Sequence, residues 1–325
     1  MKTDTSKKII KFIKKNKHAT AHQLVEYLSI SQRAVFKQLK NLINKKVIYK
    51  SGLPPIVYYY LTDEQQIGLE IKISMKIKRV IDDNYYLISS AGEIKQGWDG
   101  FAYWCNKNNQ KVDKTADDYI KIIKKYGQFK KNGLINGLKK IQNTFKDVYL
   151  DQLYYLDFYS IERFGKTKLG QQLLYAKQSQ NIKLIRELSH GIKPKIDDII
   201  KKNKIDSVGF IPPTVKREIQ FMRELEKNLA LKSKTISLIK LKTPVIVPQK
   251  TLSKLNDRVE NAQKTIIVEK IASCKNILLI DDAVGSGATL NETAKQIKDK
   301  NICKGKVVGL SITGSFRGFD IISEV

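Results

Sequence analysis

The stretch Asn276-Ile277-Leu278-Leu279-Ile280-Asp281-Asp282-Ala283-Val284-Gly285-Ser286-Gly287-Ala288-Thr289-Leu290 decides the fold. Its unbroken apolar run, Ile277 to Ile280, predicts a parallel strand buried on both faces. Two carboxylates close the strand, and a turn of small residues opens a helix from Leu290 that carries Glu292, Thr293, Ala294 and Ile297. Such a unit belongs to an α/β fold with a doubly wound, mostly parallel sheet. In that architecture ligands sit beyond the carboxyl ends of the strands, where loop amides and a helix N-terminus attract phosphate. Gly285 and Gly287 let the backbone approach an anion, Ser286 and Thr289 add hydroxyl donors, and Ala288 keeps the turn small. Asp281 and Asp282 can accept hydrogen bonds from sugar hydroxyls and help hold a divalent cation.

Four apolar residues, two acids, two apolar residues and a small/Ser/Gly/x/Thr turn form a restrictive pattern. It resembles the motif with which type I phosphoribosyltransferases bind phosphoribosyl pyrophosphate (PRPP). Gly285 departs from the Thr or Asp common there, which argues against a 6-oxopurine substrate. Upstream, Ile205-Asp206-Ser207-Val208-Gly209-Phe210-Ile211-Pro212-Pro213 reads as a strand ending in a rigid turn, followed by Thr214-Val215-Lys216-Arg217 and a helix. With the helix bearing Lys177, this is similar to the ComF family, which places a short Pro-containing strand and a basic turn at the pyrophosphate site. Residues 244–261 resemble that family's closing loop through Gln249, Leu252, Ser253, Arg258 and Asn261. The resemblance spans about residues 153–315. It implies that Gly285, Ser286, Gly287, Ala288 and Thr289 hold the 5-phosphate. Thr214, Lys216, Arg217 and Arg258 would then meet the pyrophosphate, and Asp281 and Asp282 a magnesium ion. Arg258 and the acidic pair are the expected catalytic residues. The family's N-terminal zinc-binding cysteines are absent, so a role in DNA uptake does not carry over.

The N-terminal end has a different character. The net charge is +28, and the first 63 residues carry +10 of it against +18 for the remaining 262. Codon bias toward lysine does not concentrate charge in one segment, so the excess points to a polyanion. Ile9, Ile10 and Ile13 put an apolar stripe on a first helix whose other face is lysine. Thr20 with Gln23 gives a capping-box pattern before Leu24 and Leu28. Ser31 precedes Val35, Leu39, Leu42 and Ile43 at helical spacing, and strand-like runs at 47–50 and 56–61 flank a wing at 51–55. Three helices and a hairpin resemble the winged helix-turn-helix of bacterial repressors. That likeness places Gln32, Arg33, Lys37 and Lys40 toward the major groove of double-stranded DNA and Lys50 on phosphates. Winged helices also act as protein–protein modules.

The expected domains are 1–63, an α+β aromatic-rich connector at 64–150, and 151–325. Within the connector, residues 69–81 read as a strand, with Ile71, Ile73 and Met75 alternating. Gly97-Trp98-Asp99-Gly100-Phe101-Ala102-Tyr103-Trp104 reads as core or seam, with base stacking as the alternative. A helix follows at 116–126, and residues 154–178 read as a second helix. Gly165-Lys166-Thr167 fails as a phosphate loop, because Ser160 stands where that motif needs glycine. Cys105, Cys274 and Cys303 form no CxxC, and neither a membrane span nor a signal segment is legible. The chain therefore reads as cytoplasmic, with reduced thiols.

Two functions follow from these resemblances. One is an enzyme that transfers phosphoribose from PRPP to a nitrogen acceptor. The other is a transcriptional regulator whose pocket senses PRPP or a nucleotide without catalysis, the plan of the purine repressor of some bacteria. A third reading makes the winged helix a dimerisation module on an ordinary enzyme, giving a homodimer.

Overall fold

The computed structural model describes residues 4–45, 47–51, 57–62, 73–269 and 273–316, and the chain divides into two units between residues 72 and 73. The first unit has three helices, α1 (Asp4–Asn16), α2 (Ala21–Leu28) and α3 (Gln32–Asn44), then antiparallel strands β1 (Ile48–Ser51) and β2 (Tyr58–Leu61). The capping box forms: Thr20 Oγ1 accepts the Gln23 N–H at 3.2 Å, and Gln23 Oε1 accepts the Thr20 N–H at 2.9 Å. Ser31 caps α3 by accepting the Ala34 N–H at 3.3 Å. Helices this short are marginal alone, so what holds them is the shared core of Ile9, Ile13, Leu24, Val35, Leu39, Leu42, Ile48 and Tyr59. Of the expected wing, residues 52–55 lie outside the described residues.

The second unit opens with α4 (Met75–Asn84), whose cap Ser74 accepts the Ile77 N–H at 3.3 Å. This corrects the expected strand at 69–81, of which residues 69–72 lie outside the described residues. Ile77 and Ile81 share one helix face and Ile81 is enclosed, whereas Met75 is 79 % exposed. The hairpin β3 (Tyr86–Ile88) and β4 (Ile94–Gln96) leads to α5 (Gly97–Lys107) and α6 (Val112–Gly127). Here Tyr85, Phe101, Tyr119 and Phe164 pack ring against ring, and of the 97–104 segment Phe101 is buried in this core while Trp98, Tyr103 and Trp104 are half-buried.

β5 (Lys130–Lys131), β6 (Leu134–Asn136), α7 (Leu138–Thr144) and β7 (Gln152–Phe158) come next. β7 corrects the expected helix at 154–178: its first five residues are strand, and the helix begins only at α8 (Lys168–Gln178), after the small hairpin β8 (Ser160–Ile161) and β9 (Gly165–Lys166). Thr167 caps α8 by accepting the Gly170 N–H at 3.0 Å. Then come α9 (Ile182–Asn203), β10 (Ser207–Phe210), α10 (Phe221–Leu229), β11 (Lys234–Thr235), β12 (Leu238–Lys240), α11 (Leu255–Thr265), β13 (Ile266–Val268), β14 (Ile277–Val284), α12 (Ala288–Asp299) and β15 (Val307–Gly314).

The central sheet has seven strands in the order β11-β10-β14-β15-β7-β6-β5. β11 through β7 are parallel, and β6 and β5 are antiparallel. Residues 73–150 therefore do not stand apart from residues 151–316, because β5 and β6 extend the same sheet beyond β7. Leu278 and Ile280 of β14 join a cluster with Leu173 of α8, Ile192 of α9 and Leu225 of α10. Ile277 and Leu279 point to the opposite face and are equally enclosed, so both faces of the strand are covered. The chain leaves β10 outward to β11 but leaves β14, on its other side, toward β15. This reversal opens a crevice at the carboxyl ends of β10 and β14.

Candidate functional site

A cavity of about 240 Å³ occupies that crevice. It is lined from one side by Asp281, Asp282, Gly285, Ser286, Gly287, Ala288 and Thr289, and from the other by Thr214 and Arg217. Arg258, from α11, completes the wall. All the residues expected at the ligand site come together here except Lys216, which is exposed and not part of the wall. Its neighbour Arg217 is turned inward and donates to the Lys177 carbonyl.

The loop follows from local chemistry. Gly287, not Gly285, takes the left-handed backbone, at φ 87°. A Cβ at Gly287 would collide with Ile141 Cδ1, so the turn also presses against α7. Ser286 is buried, and its Oγ accepts the Ala288 N–H at 3.4 Å. α12 then starts with no side-chain cap, and its first residues, Ala288 and Thr289, line the cavity. Asn291 anchors the helix from behind, accepting the Tyr149 N–H at 2.9 Å and donating to the Asp147 carbonyl at 3.0 Å.

Charge is dense. Lys177 Nζ lies 2.7 Å from Asp282 Oδ2. Burial first, and then the adjacent Asp282 charge, push the Asp281 carboxyl well above the ordinary carboxylate range. Lys240, at the end of β12, reaches Thr265 Oγ1 at 2.5 Å and Asn261 Oδ1 at 3.4 Å. Burial pulls its ammonium down to about 8, against the opposing pull of Asp281. Burial also lowers the Arg258 guanidinium; its Nε donates to the Leu252 carbonyl at 2.7 Å, and its own carbonyl accepts from Gln249 Nε2 at 2.8 Å. Lys177, Arg217, Lys240 and Arg258 thus surround two carboxylates, an arrangement suited to a polyanion that brings a cation with it. Among the described residues no group of three or more His, Cys, Asp or Glu side chains could hold a metal alone. A magnesium ion bound through one or two carboxylates and completed by substrate phosphates fits the Asp281–Asp282 pair. Lys240 is the site residue that sequence reasoning missed, since nothing in Leu238-Ile239-Lys240 marks it until the fold buries it.

In the first unit, Gln32, Arg33, Lys37 and Lys40 are exposed on α3, opposite Val35, Leu39 and Leu42, and Lys50 is exposed on β1. Phe36, unremarked in the sequence, is 45 % exposed on the same stripe as Arg33, Lys37 and Lys40. Among the described residues no helix is long and apolar enough to cross a membrane. No protein-family model matches the chain, and comparison with curated proteins finds no match.

Proposed function

We propose that the second unit adopts the type I phosphoribosyltransferase fold, binds PRPP with magnesium, and transfers phosphoribose to a nitrogen acceptor. One observation carries this reading: the acidic pair, the 285–289 turn, Arg217 and Arg258 share one cavity at the strand-order reversal. The turn's amides, with Ser286 and Thr289, would take the 5-phosphate at the N-terminus of α12. Arg217 and Arg258 would neutralise the pyrophosphate, with Lys177 and Lys240 adding positive potential. Asp281 and Asp282 would accept the ribose hydroxyls and hold the magnesium ion, which supplies charge compensation to the pyrophosphate. Catalysis is then positioning plus charge stabilisation of an oxocarbenium-like state, as the C1–O bond breaks and the acceptor nitrogen attacks.

Calorimetry with PRPP and magnesium tests the ligand, and pyrophosphate release in the presence of bases and amines tests the transfer. Arg217→Ala and Arg258→Ala should each weaken PRPP binding about tenfold more than ribose 5-phosphate binding. Lys216→Ala, outside the cavity, should leave both near wild type. Equal losses for the two ligands would remove the arginines from the pyrophosphate.

The exposed basic stripe on α3 supports a second component: the first unit is a winged helix that binds duplex DNA, and PRPP or a nucleotide in the other unit regulates that binding. Isolated residues 1–63 should bind duplex DNA with log affinity falling linearly with log salt, at a slope of about −4 to −5 for four to six phosphate contacts. Lys50→Ala should flatten the slope by about one, and Arg33→Ala should relax sequence preference. Absence of binding to any duplex at low salt would return the lysines to solvent. PRPP should shift the DNA affinity of the full chain by about 1–3 kcal/mol if the protein is a regulator, and not at all if it is an enzyme carrying an independent module.

A further inference from the structure

In the first unit, Ala19, between α1 and α2, pairs with Tyr59 of β2: the Ala19 N–H donates to the Tyr59 carbonyl at 3.0 Å, and the Tyr59 N–H to the Ala19 carbonyl at 2.7 Å. The hairpin is thereby widened along the other edge of β2. Successive residues of extended chain point to opposite faces. Ala19, Tyr59 and Ile48 turn into the core. His18, Tyr58, Tyr60 and Tyr49 therefore stand together on the face turned away from it. Tyr49 lies directly opposite Tyr60, with ring centroids 5.3 Å apart and planes within 16° of parallel. The His18 ring is edge-on to Tyr58 at 4.9 Å and tilted to Tyr60 at 5.6 Å. Tyr49 is 41 % exposed, His18 is exposed, and Tyr58 and Tyr60 are half-buried against their neighbours.

A cross-strand ring pair is enough to steady a hairpin. It does not account for a third and fourth ring drawn onto the same face, one of them from outside the hairpin, with two of the four left in water. The charge around them has one sign. Lys14, Lys15 and Lys17 are exposed immediately before His18. Among the described residues of this unit the carboxylates are Asp4, which opens α1, and Glu26, on α2 and paired with His22, so none stands on the sheet. Asp4 is twelve residues, or about 18 Å of helix rise, from the end of α1 that leads to His18.

We propose that this aromatic sheet face binds single-stranded nucleic acid by base stacking. Proteins that hold single strands combine rings on which bases stack with cations that follow the phosphates, and a sheet can carry about two or three bases in this way. The bases would lie on the rings of Tyr49, Tyr60 and His18, and the phosphates would run past Lys14, Lys15 and Lys17. Base faces in a duplex are stacked on one another and closed to such rings, whereas a single strand offers them. An acidic peptide would match the charge but would bring no flat partners for the rings. The platform uses none of the α3 side chains assigned to duplex DNA, so it stands or falls by itself.

Fluorescence anisotropy of the full chain at low salt tests this with labelled oligothymidylate of about twelve nucleotides and an abasic strand of the same length. The two carry the same phosphates and differ only in the bases. The abasic strand should bind at least about tenfold more weakly. Tyr49→Leu and Tyr60→Leu, checked by melting curves to be folded, should each weaken oligothymidylate about tenfold, while Tyr49→Phe, which keeps the ring, should bind like wild type. Oligouridylate in a parallel arm tells whether RNA or DNA is the tighter ligand, and the leucine variants should weaken both. An abasic strand bound as tightly as oligothymidylate, or binding undiminished in both leucine variants, would overturn the proposal. A dimer split by Tyr49→Leu, with no strand bound, would give the face to a second copy of the chain instead.

Discussion

Asp281→Asn should raise the melting temperature of the ligand-free protein at neutral pH, and combined with Asp282→Asn it should weaken magnesium-dependent PRPP binding at least tenfold, about 1.4 kcal/mol. The two effects have one origin. Asp281 lies within β14, inside the sheet, where burial and the Asp282 charge oppose its ionisation. Its folded pKa is raised above the unfolded value of about 3.9. The folded state therefore binds more protons, and stability is lost as pH rises from about 4 toward the folded pKa. Asn cannot titrate, so the gap between variant and wild type should open above about pH 4 and widen on going to neutral pH. Lys240 loses a counter-charge in the variant, but the burial cost acting directly on Asp281 is the first and largest cause of its shift. A carboxylate kept at a cost to stability is what a cation-binding site requires, and the cation would offset it. Melting curves across pH, with calorimetry at neutral pH, check both halves. Parallel pH profiles for the two proteins would remove the strain, and unchanged affinity in the double variant would remove PRPP from the cavity.

How far an element is legible in the sequence depends on where its deciding forces act. β14 announces itself because a strand buried on both faces needs an unbroken apolar run, and the two acids and the turn of small residues that follow the run mark its approach to a helix. α1, α2 and α3 are readable from apolar spacing and local caps, both of which live within a few residues of chain. β7 is deceptive because Tyr154-Tyr155-Leu156-Asp157-Phe158 also suits a helix face. Its pairing with β15, more than 140 residues away, makes it a strand. At α4 the alternation of Ile71, Ile73 and Met75 misleads, whereas the Ser74 cap and the Ile77–Ile81 spacing carry the true signal. Lys240 is invisible for a deeper reason. A depressed ammonium is a property of burial, and burial at this position is set by tertiary packing.

Gly287→Ala should cost about 2–4 kcal/mol of stability and abolish tight PRPP binding, and Ile141→Val should recover part of the stability. Two separable terms make up the loss. Gly287 sits at φ 87°, where a side chain costs about 1–2 kcal/mol. The new Cβ would also collide with Ile141 Cδ1, and Ile141 is wholly enclosed, with little room to turn away. Valine lacks that Cδ1 atom and by itself should cost about 0.5–1.5 kcal/mol. The double variant should therefore be more stable than the sum of the single losses predicts, leaving the backbone strain as the residue of the cycle. Binding should not recover in parallel, because a turn strained at Gly287 misplaces the amides of 286–289 whether or not α7 gives way. Denaturant unfolding of the four proteins, with PRPP calorimetry on each, measures both terms. Strict additivity would mean that α7 does not buttress the loop, and recovered binding in the double variant would mean that the contact with Ile141, rather than the left-handed turn, sets the phosphate geometry.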